Sequence, residues 1–434
     1  MSEPVAILVA LAAFLPAASG AHAQTPLDDV FSALSLREIG PAIMGGRVAD
    51  LAVVESRPST FYVGFASGGM WRTDSDGARW EPLFDDQPCA SVGDVTVFQA
   101  NPRVVWVGTG EPQNRQSSPY GCGVFWSTDG GKSWTALGLE DTRHIGRIAL
   151  HPDDADVAYV AAVGHLFGPN DERGVFRTTD GGATWERVLY VDENTGAIDI
   201  VMDPSDPNTL FAAMYQRHRT VFGFSAGGPG SGLYRTTDGG ETWTELTRGL
   251  PEGDKGRIGI GIYRRNPHIV YALVESRAQG RGLYRSEDRG ESWEKVSGRN
   301  PRPMYFSLVR VDPTDESRVY LGGVQFSISD DGGRTWMEGN AAEGIHVDHH
   351  ALWIDPTDPQ HLILGNDGGV ASSRDGGRSW RHHNNLAVGQ FYEIGVDMSD
   401  PYRVCGGLQD NSSWCAPNET LTPHGLRNRD WFDV

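Results

Sequence analysis

An all-β fold is predicted: a propeller of four-stranded antiparallel blades, seven in number. Three features predict it. A short turn string closing on Trp recurs seven times at blade-like intervals, each repeat carries a second Asp-Pro type of turn, and the composition favours tight turns over helices. The 434 residues include 55 Gly, 25 Pro and 13 Trp, a mix suited to many short strands.

The recurring string is clearest at Ser127, Asp129, Gly131, Ser133 and Trp134. It returns around Asp180/Trp185, Asp238/Trp243, Asp288/Trp293, Asp331/Trp336 and Asp375/Trp380, with a decayed first copy ending at Trp80. Successive closing tryptophans stand between 43 and 58 residues apart, a period that suits a four-stranded blade. The chemistry is that of a turn. The Asp carboxylate and the Ser or Thr hydroxyl accept backbone N–H groups, Gly supplies positive φ, and Trp covers the hairpin.

The second turn appears as Asp203-Pro204, Asp312-Pro313 and Asp355-Pro356, with an apolar strand on either side. Each blade therefore reads strand A, Asp-Pro turn, strand B, variable loop, strand C, Asp box, strand D. This order places A–B and C–D turns on one face and the variable loops on the other. Gly110–Gly121, Gly164–Arg173 and Met214–Gly232 are the long insertions, on the rim where propellers bind. Cys89 and Cys122 fall on that face, so Cys89–Cys122 and Cys405–Cys415 are the expected disulfides of an exported chain. Three pairings are possible for four cysteines.

The domain reading is a signal peptide over 1–23, the Asp-box propeller over 24–390, and a tail over 391–434. Val5–Leu15 is an apolar run too short to span a bilayer, and Ala21-His22-Ala23 is a cleavage-type site, although no Lys or Arg precedes the run. A secreted or periplasmic location is expected. The tail repeats the A–turn–B pattern without an eighth box. It either completes the ring or begins a second propeller. A net charge of −20 repels phosphate backbones, so nucleic acid is not expected as a partner, and neither is a membrane span. No P-loop, dinucleotide fingerprint or Gly-x-Ser-x-Gly elbow occurs, and no cofactor is expected.

Several residues are candidates for a site. His346, Asp348, His349 and His350 enter strand A of the seventh repeat. Strand alternation sends His349 and His350 to opposite sides, so no metal site is assigned there. They are read as ligand-binding groups or an internal hydrogen-bond network. Aligning the repeats on their A–B turns puts Asp50, Asp94, Arg147 and Asp199 at one register around the channel, as a charged mouth or as ion pairs between blades. Glu111 with Asp94 or Asp367 is the candidate carboxylate pair for glycoside cleavage. If the ring closes after seven blades, Arg47, Asp50, Asp94 and Glu111 share one polar basin with His350 and Asp367. Tyr120, Phe167, Tyr215, Phe222 and Phe224 offer rings for stacking in the long loops.

Together with Gly45-Gly46-Arg47, Gly108-Thr109-Gly110-Glu111, His346–His350 and Gly365–Gly369, the boxes resemble the bacterial sortilin/VPS10-like BNR-repeat proteins, often labelled glycosyl hydrolases. The resemblance covers nearly all of the chain after residue 23. It implies a ligand-binding propeller, and a longer protein with further propeller sequence. A more distant likeness is to tandem-propeller xyloglucanases, which carry an acid shortly after an early strand B. The similar place here holds Ser67. Sialidases share the boxes, but their Phe/Tyr-Arg-Ile-Pro motif is missing. The expected function is binding of a peptide or glycan at the top-face loops. The alternative is an extracellular glycoside hydrolase, and a third class is a scaffold without ligand.

Overall fold

The computed structural model describes residues 37–434, apart from 42, 44, 116, 278, 279, 338 and 339. The signal peptide expected over 1–23 lies outside the described residues. Eight antiparallel sheets follow one another along the chain. Their first strands are Val48–Val53, Val92–Val97, Ile145–Leu150, Thr195–Asp203, Lys255–Ile262, Leu308–Val311, His349–Ile354 and Phe391–Val396. Among the described residues helix is confined to two 3-10 turns, Glu140–Thr142 and Asn428–Asp430. No helix among the described residues is long and apolar enough to cross a membrane.

Most sheets have the predicted four strands. The sixth has three among the described residues, and Met337 N donates to Ile328 O at 2.9 Å where the others run a fourth. The fourth sheet is larger. Its second strand, Asp206–Arg219, runs on into a hairpin with Phe224–Ala226, so the longest variable loop is itself β structure.

The Asp boxes sit at C–D turns and are hydrogen-bonded throughout. Asp129 accepts Lys132 N, Ser133 N and Ser133 Oγ at 2.7–3.0 Å, while Ser127 Oγ accepts Gly131 N at 2.8 Å. Each box then ties to the A–B turn of its own sheet. Gly130 N donates to Arg103 O, Gly181 N to Asp156 O, and Gly376 N to Gln360 O, at 2.8–3.0 Å. Both sets of turns therefore share one face.

The Trp does more than cover its hairpin, because several indoles reach the preceding sheet. Trp134 Nε1 donates to Leu83 O and Trp185 Nε1 to Leu137 O, each at 2.7 Å. Trp80 of the first sheet reaches Asn385 Oδ1, beyond the seventh, at 3.1 Å. Glycine in the middle of strand B lets neighbouring sheets approach. A Cβ on Gly64 would lie 2.4 Å from Val92, and one on Gly365 would lie 2.4 Å from Val48. Sheet one thus packs on sheet seven as sheet two packs on sheet one. The apolar clusters lie between adjacent sheets, one joining Val48, Phe61 and Phe65 to Ala351 and Ile363.

The tail forms the eighth sheet, Phe391–Val396, Arg403–Leu408, Ser413–Pro417 and Phe432–Asp433. Both disulfides form as expected, Cys89–Cys122 on the loop face and Cys405–Cys415 between facing positions of the eighth sheet.

Candidate functional site

Arg47 stands just before the first strand and its side chain is buried. Its Nη1 donates to Glu111 Oε1 at 2.6 Å. Nε and Nη2 donate to the two oxygens of Asp367 at 2.9 and 2.8 Å, the forked geometry that suits guanidinium and carboxylate. Nη2 also bonds Gln409 Oε1. His350 Nε2 lies 2.7 Å from Asp367 Oδ1. Glu111, Asp367 and Gln409 each stand one or two residues past the end of a strand B. That shared register is why loops from sheets two, seven and eight meet at one point.

The two carboxylates differ in state. Burial pushes Glu111 up to about 7, against the pull of Arg47. Asp367 is also desolvated, but bonds from His350 and Arg47 hold it well below the usual carboxylate range. Near neutral pH one carboxyl is substantially protonated and its neighbour ionised, the division an acid–base pair requires. Access is another matter, since Glu111 is 0 % and Asp367 1 % exposed. Arg115 Nη1 donates to Gln409 Oε1 at 3.1 Å and its Nη2 to Tyr392 Oη at 3.1 Å, fastening the second sheet's loop to the eighth sheet.

Asp94 does not pair with Glu111, and Asp50 does not join Arg47, so the basin expected from the sequence divides in two. Each aspartate is the third residue of its strand, and both line the central channel with Arg147, Asp199, Arg257 and Arg310. Each ties its strand to the next sheet. Asp50 Oδ2 accepts Val95 N at 3.2 Å, Asp94 Oδ2 accepts Ile148 N at 3.0 Å, and Asp199 Oδ2 accepts Ile260 N at 3.0 Å. Arg147 pairs with Asp199 at 2.8 Å. The channel charges thus hold sheet to sheet. Arg310, two residues past the aligned Leu308, was missed by an alignment on single positions, although strand alternation puts both on one side.

The histidines separate. His349 packs edge-on against Phe326 and burial keeps it neutral, lowered to about 3. His350 lies among Tyr305, Phe306 and Asp367. His346 is at the surface, its Nε2 3.0 Å from Asp410 O. Asp348 is nearly buried beside Asp367 and Asp410. Gln409, Asp410 and Tyr305 carried no signal in the repeat pattern.

The loop face also carries an aromatic shelf. Tyr120 is 64 %, Phe167 51 %, Phe224 45 % and Phe222 100 % exposed, whereas Tyr215 is buried. A cleft there is lined by Tyr120, Arg143, His144, His165, Leu166 and Phe167. Arg143 stacks over Tyr120 at 4.9 Å and Arg219 over Phe224 at 4.9 Å. Arg217 Nη1 donates to Pro112 O at 2.7 Å, so the fourth sheet's hairpin rests on the loop that bears Glu111.

Residues 122–253 match the family model described as Sortilin-Vps10, "Sortilin, neurotensin receptor 3". Xyloglucanase Xgh74A of Acetivibrio thermocellus is 25 % identical over 243 residues, 48 % of this chain and 26 % of that protein. The chain thus spans about a quarter of that relative's length. Among solved structures, the GH74 enzyme of Niastella koreensis superposes with a TM-score of 0.58 at 18 % identity, covering 86 % of this chain and 60 % of that one. YCF48 bound to D1 peptide gives 0.51 at 17 % identity, covering 79 % and 98 %. The chain is a β-propeller built on Asp-box repeats, similar over residues 122–253 to the Sortilin-Vps10 family and more distantly to xyloglucanases.

Proposed function

We propose that this is an exported propeller, with a ring of seven blades, that binds a glycan on the aromatic shelf of its loop face. The observation that carries the reading is the exposure of Tyr120, Phe167, Phe222 and Phe224 on one rim. Exposed rings grouped on a rigid scaffold mark an interaction site. The adjoining Arg143 and His165 add hydrogen-bonding groups of the kind sugar hydroxyls need. The likeness to a xyloglucanase favours a polysaccharide over a peptide, and the two disulfides agree with an oxidising compartment. We read the eighth sheet as the first blade of a further propeller, because Tyr392, Ile394 and Val396 on its first strand are 58–66 % exposed, unlike the buried or half-buried residues of the other first strands.

Affinity electrophoresis of the purified protein through soluble xyloglucan, mixed-linkage glucan and a no-glycan gel tests the reading. Retardation by a glycan, reduced tenfold or more by Tyr120→Ala with Phe167→Ala, is expected. Unretarded migration in every glycan, with capture on a peptide array, would replace the glycan by a peptide.

A second reading, glycoside hydrolysis, is favoured by the opposite shifts of Glu111 and Asp367. It requires Gln409 and Arg115 to move off the pair, and it must do without an acid at Ser67.

A further inference from the structure

A second cluster lies beside the Arg47 network and bridges sheets seven and eight. Asp348, Asp367 and Asp410 each turn a carboxylate oxygen to within 4.8 Å of the others. Carboxylates alone do not make a cation site, but two further observations point to a ligand. Asp348 is only 9 % exposed, and its Oδ1 is buried without a hydrogen-bond partner. Asn411 is 3 % exposed; its Nδ2 donates to Asp367 O and Gln409 O at 2.9 Å, while its Oδ1 also lacks a partner. Buried polar atoms of this kind are costly unless something satisfies them.

We infer that Asp348, Asp367 and Asp410 form a calcium site that fastens the eighth sheet to the seventh. The donor set is hard oxygen, which selects calcium or magnesium over softer metals. Ligand character then decides between them. Calcium takes sites built largely of protein carboxylate and carbonyl oxygens, whereas magnesium usually keeps several waters and only one or two carboxylates. Three carboxylates within 4.8 Å of one another fit the calcium pattern.

Asp367 has capacity to spare for the role. Its Oδ1 accepts Arg47 Nε and His350 Nε2, but Oδ2 accepts Arg47 Nη2 alone. A divalent cation would offset the mutual repulsion of the three neighbouring carboxylates and give the buried Asp348 Oδ1 a partner. It would also fix the 409–411 turn, and with it Gln409 against Arg47. The set does not show within His346–His350 alone, because Asp410 follows the second strand of a different sheet. The inference does not depend on glycan binding.

Isothermal titration of calcium chloride into chelator-treated full-length protein tests it. One site is expected, with Kd on the order of 10⁻⁴ M, a range usual for extracellular modules. Asp410→Asn, at an exposed position, and Asp348→Asn should each weaken binding at least tenfold, with far-ultraviolet dichroism unchanged. Magnesium chloride should bind at least tenfold more weakly. Absence of calcium heat in the parent protein, calcium binding unchanged in Asp410→Asn, or equal affinity for magnesium would each overturn the assignment.

Discussion

Arg47 and Asp367 are joined by two hydrogen bonds, Nε to Oδ1 at 2.9 Å and Nη2 to Oδ2 at 2.8 Å, across 320 residues of chain. One residue precedes the first strand of sheet one and the other follows the second strand of sheet seven, so the pair clasps the two sheets together. Both side chains are shut away from water. Removing one member of a buried ion pair leaves the other charge unpaired and costs about 3–5 kcal/mol. Asp367→Ala should therefore lower the free energy of unfolding by about that amount in urea titrations. Asp367→Asn should cost less, because its amide oxygen still accepts from Arg47.

Glu111 makes a pH prediction. Its folded value, about 7, lies above its ordinary 4.5, with burial the main cause. Between those values the folded state holds a proton that the unfolded state has released. Its contribution therefore falls as pH rises from about 4.5 through 7. Glu111→Gln should gain stability relative to the parent over that interval. The comparison cancels the buried histidines, which act in the opposite sense. Melting temperatures of both proteins at pH 5, 6 and 7 check it; a constant difference would contradict it.

The boxes behave oppositely. Hydrogen bonds from Thr242 hold Asp238 at about 2, and bonds from Ser379 do the same for Asp375. A lowered carboxylate stabilises the fold above its unfolded value and loses that contribution only as pH falls through the folded one. The box turns should persist at pH 3 and open near pH 2. Carboxyl chemical shifts of the box aspartates, followed by nuclear magnetic resonance, measure this.

Much of this architecture was legible in the sequence. The box string and its Asp-Pro companion have fixed local chemistry, so Asp129 and Asp375 announce their turns wherever they occur. Strand order then placed Cys89 beside Cys122. The tail was harder, because Ser413–Pro417 and Phe432–Asp433 have no box between them to mark the turn. The site was legible in part. Glu111 and Asp367 stood out as carboxylates beside glycine, but their closure depends on Gln409 and Arg115. No repeat pattern encodes how the box-free eighth sheet meets the seventh. Asp50 stands three residues from Arg47 in sequence, yet it and Asp94 lie within their strands and face the channel with Arg147.

Disulfide chemistry gives a further check. Mass mapping of unreduced peptides from exported protein should find Cys89 with Cys122 and Cys405 with Cys415. Replacing Cys405 and Cys415 by Ala removes a cross-link worth about 2–3 kcal/mol for so short a loop. The loss should fall on the eighth sheet, read as faster proteolysis within 391–434 while the boxed sheets stay protected.

The central claim is that the loop face binds a glycan, with cleavage by the Glu111–Asp367 pair as the second reading. One incubation tests both parts. The protein is mixed with soluble xyloglucan, and bound polysaccharide and new reducing ends are measured from the same sample. The account predicts saturable binding that Tyr120→Ala with Phe167→Ala weakens tenfold or more, and no reducing ends above the blank. Release of reducing ends that Glu111→Gln eliminates would contradict it and identify the buried pair as an active site.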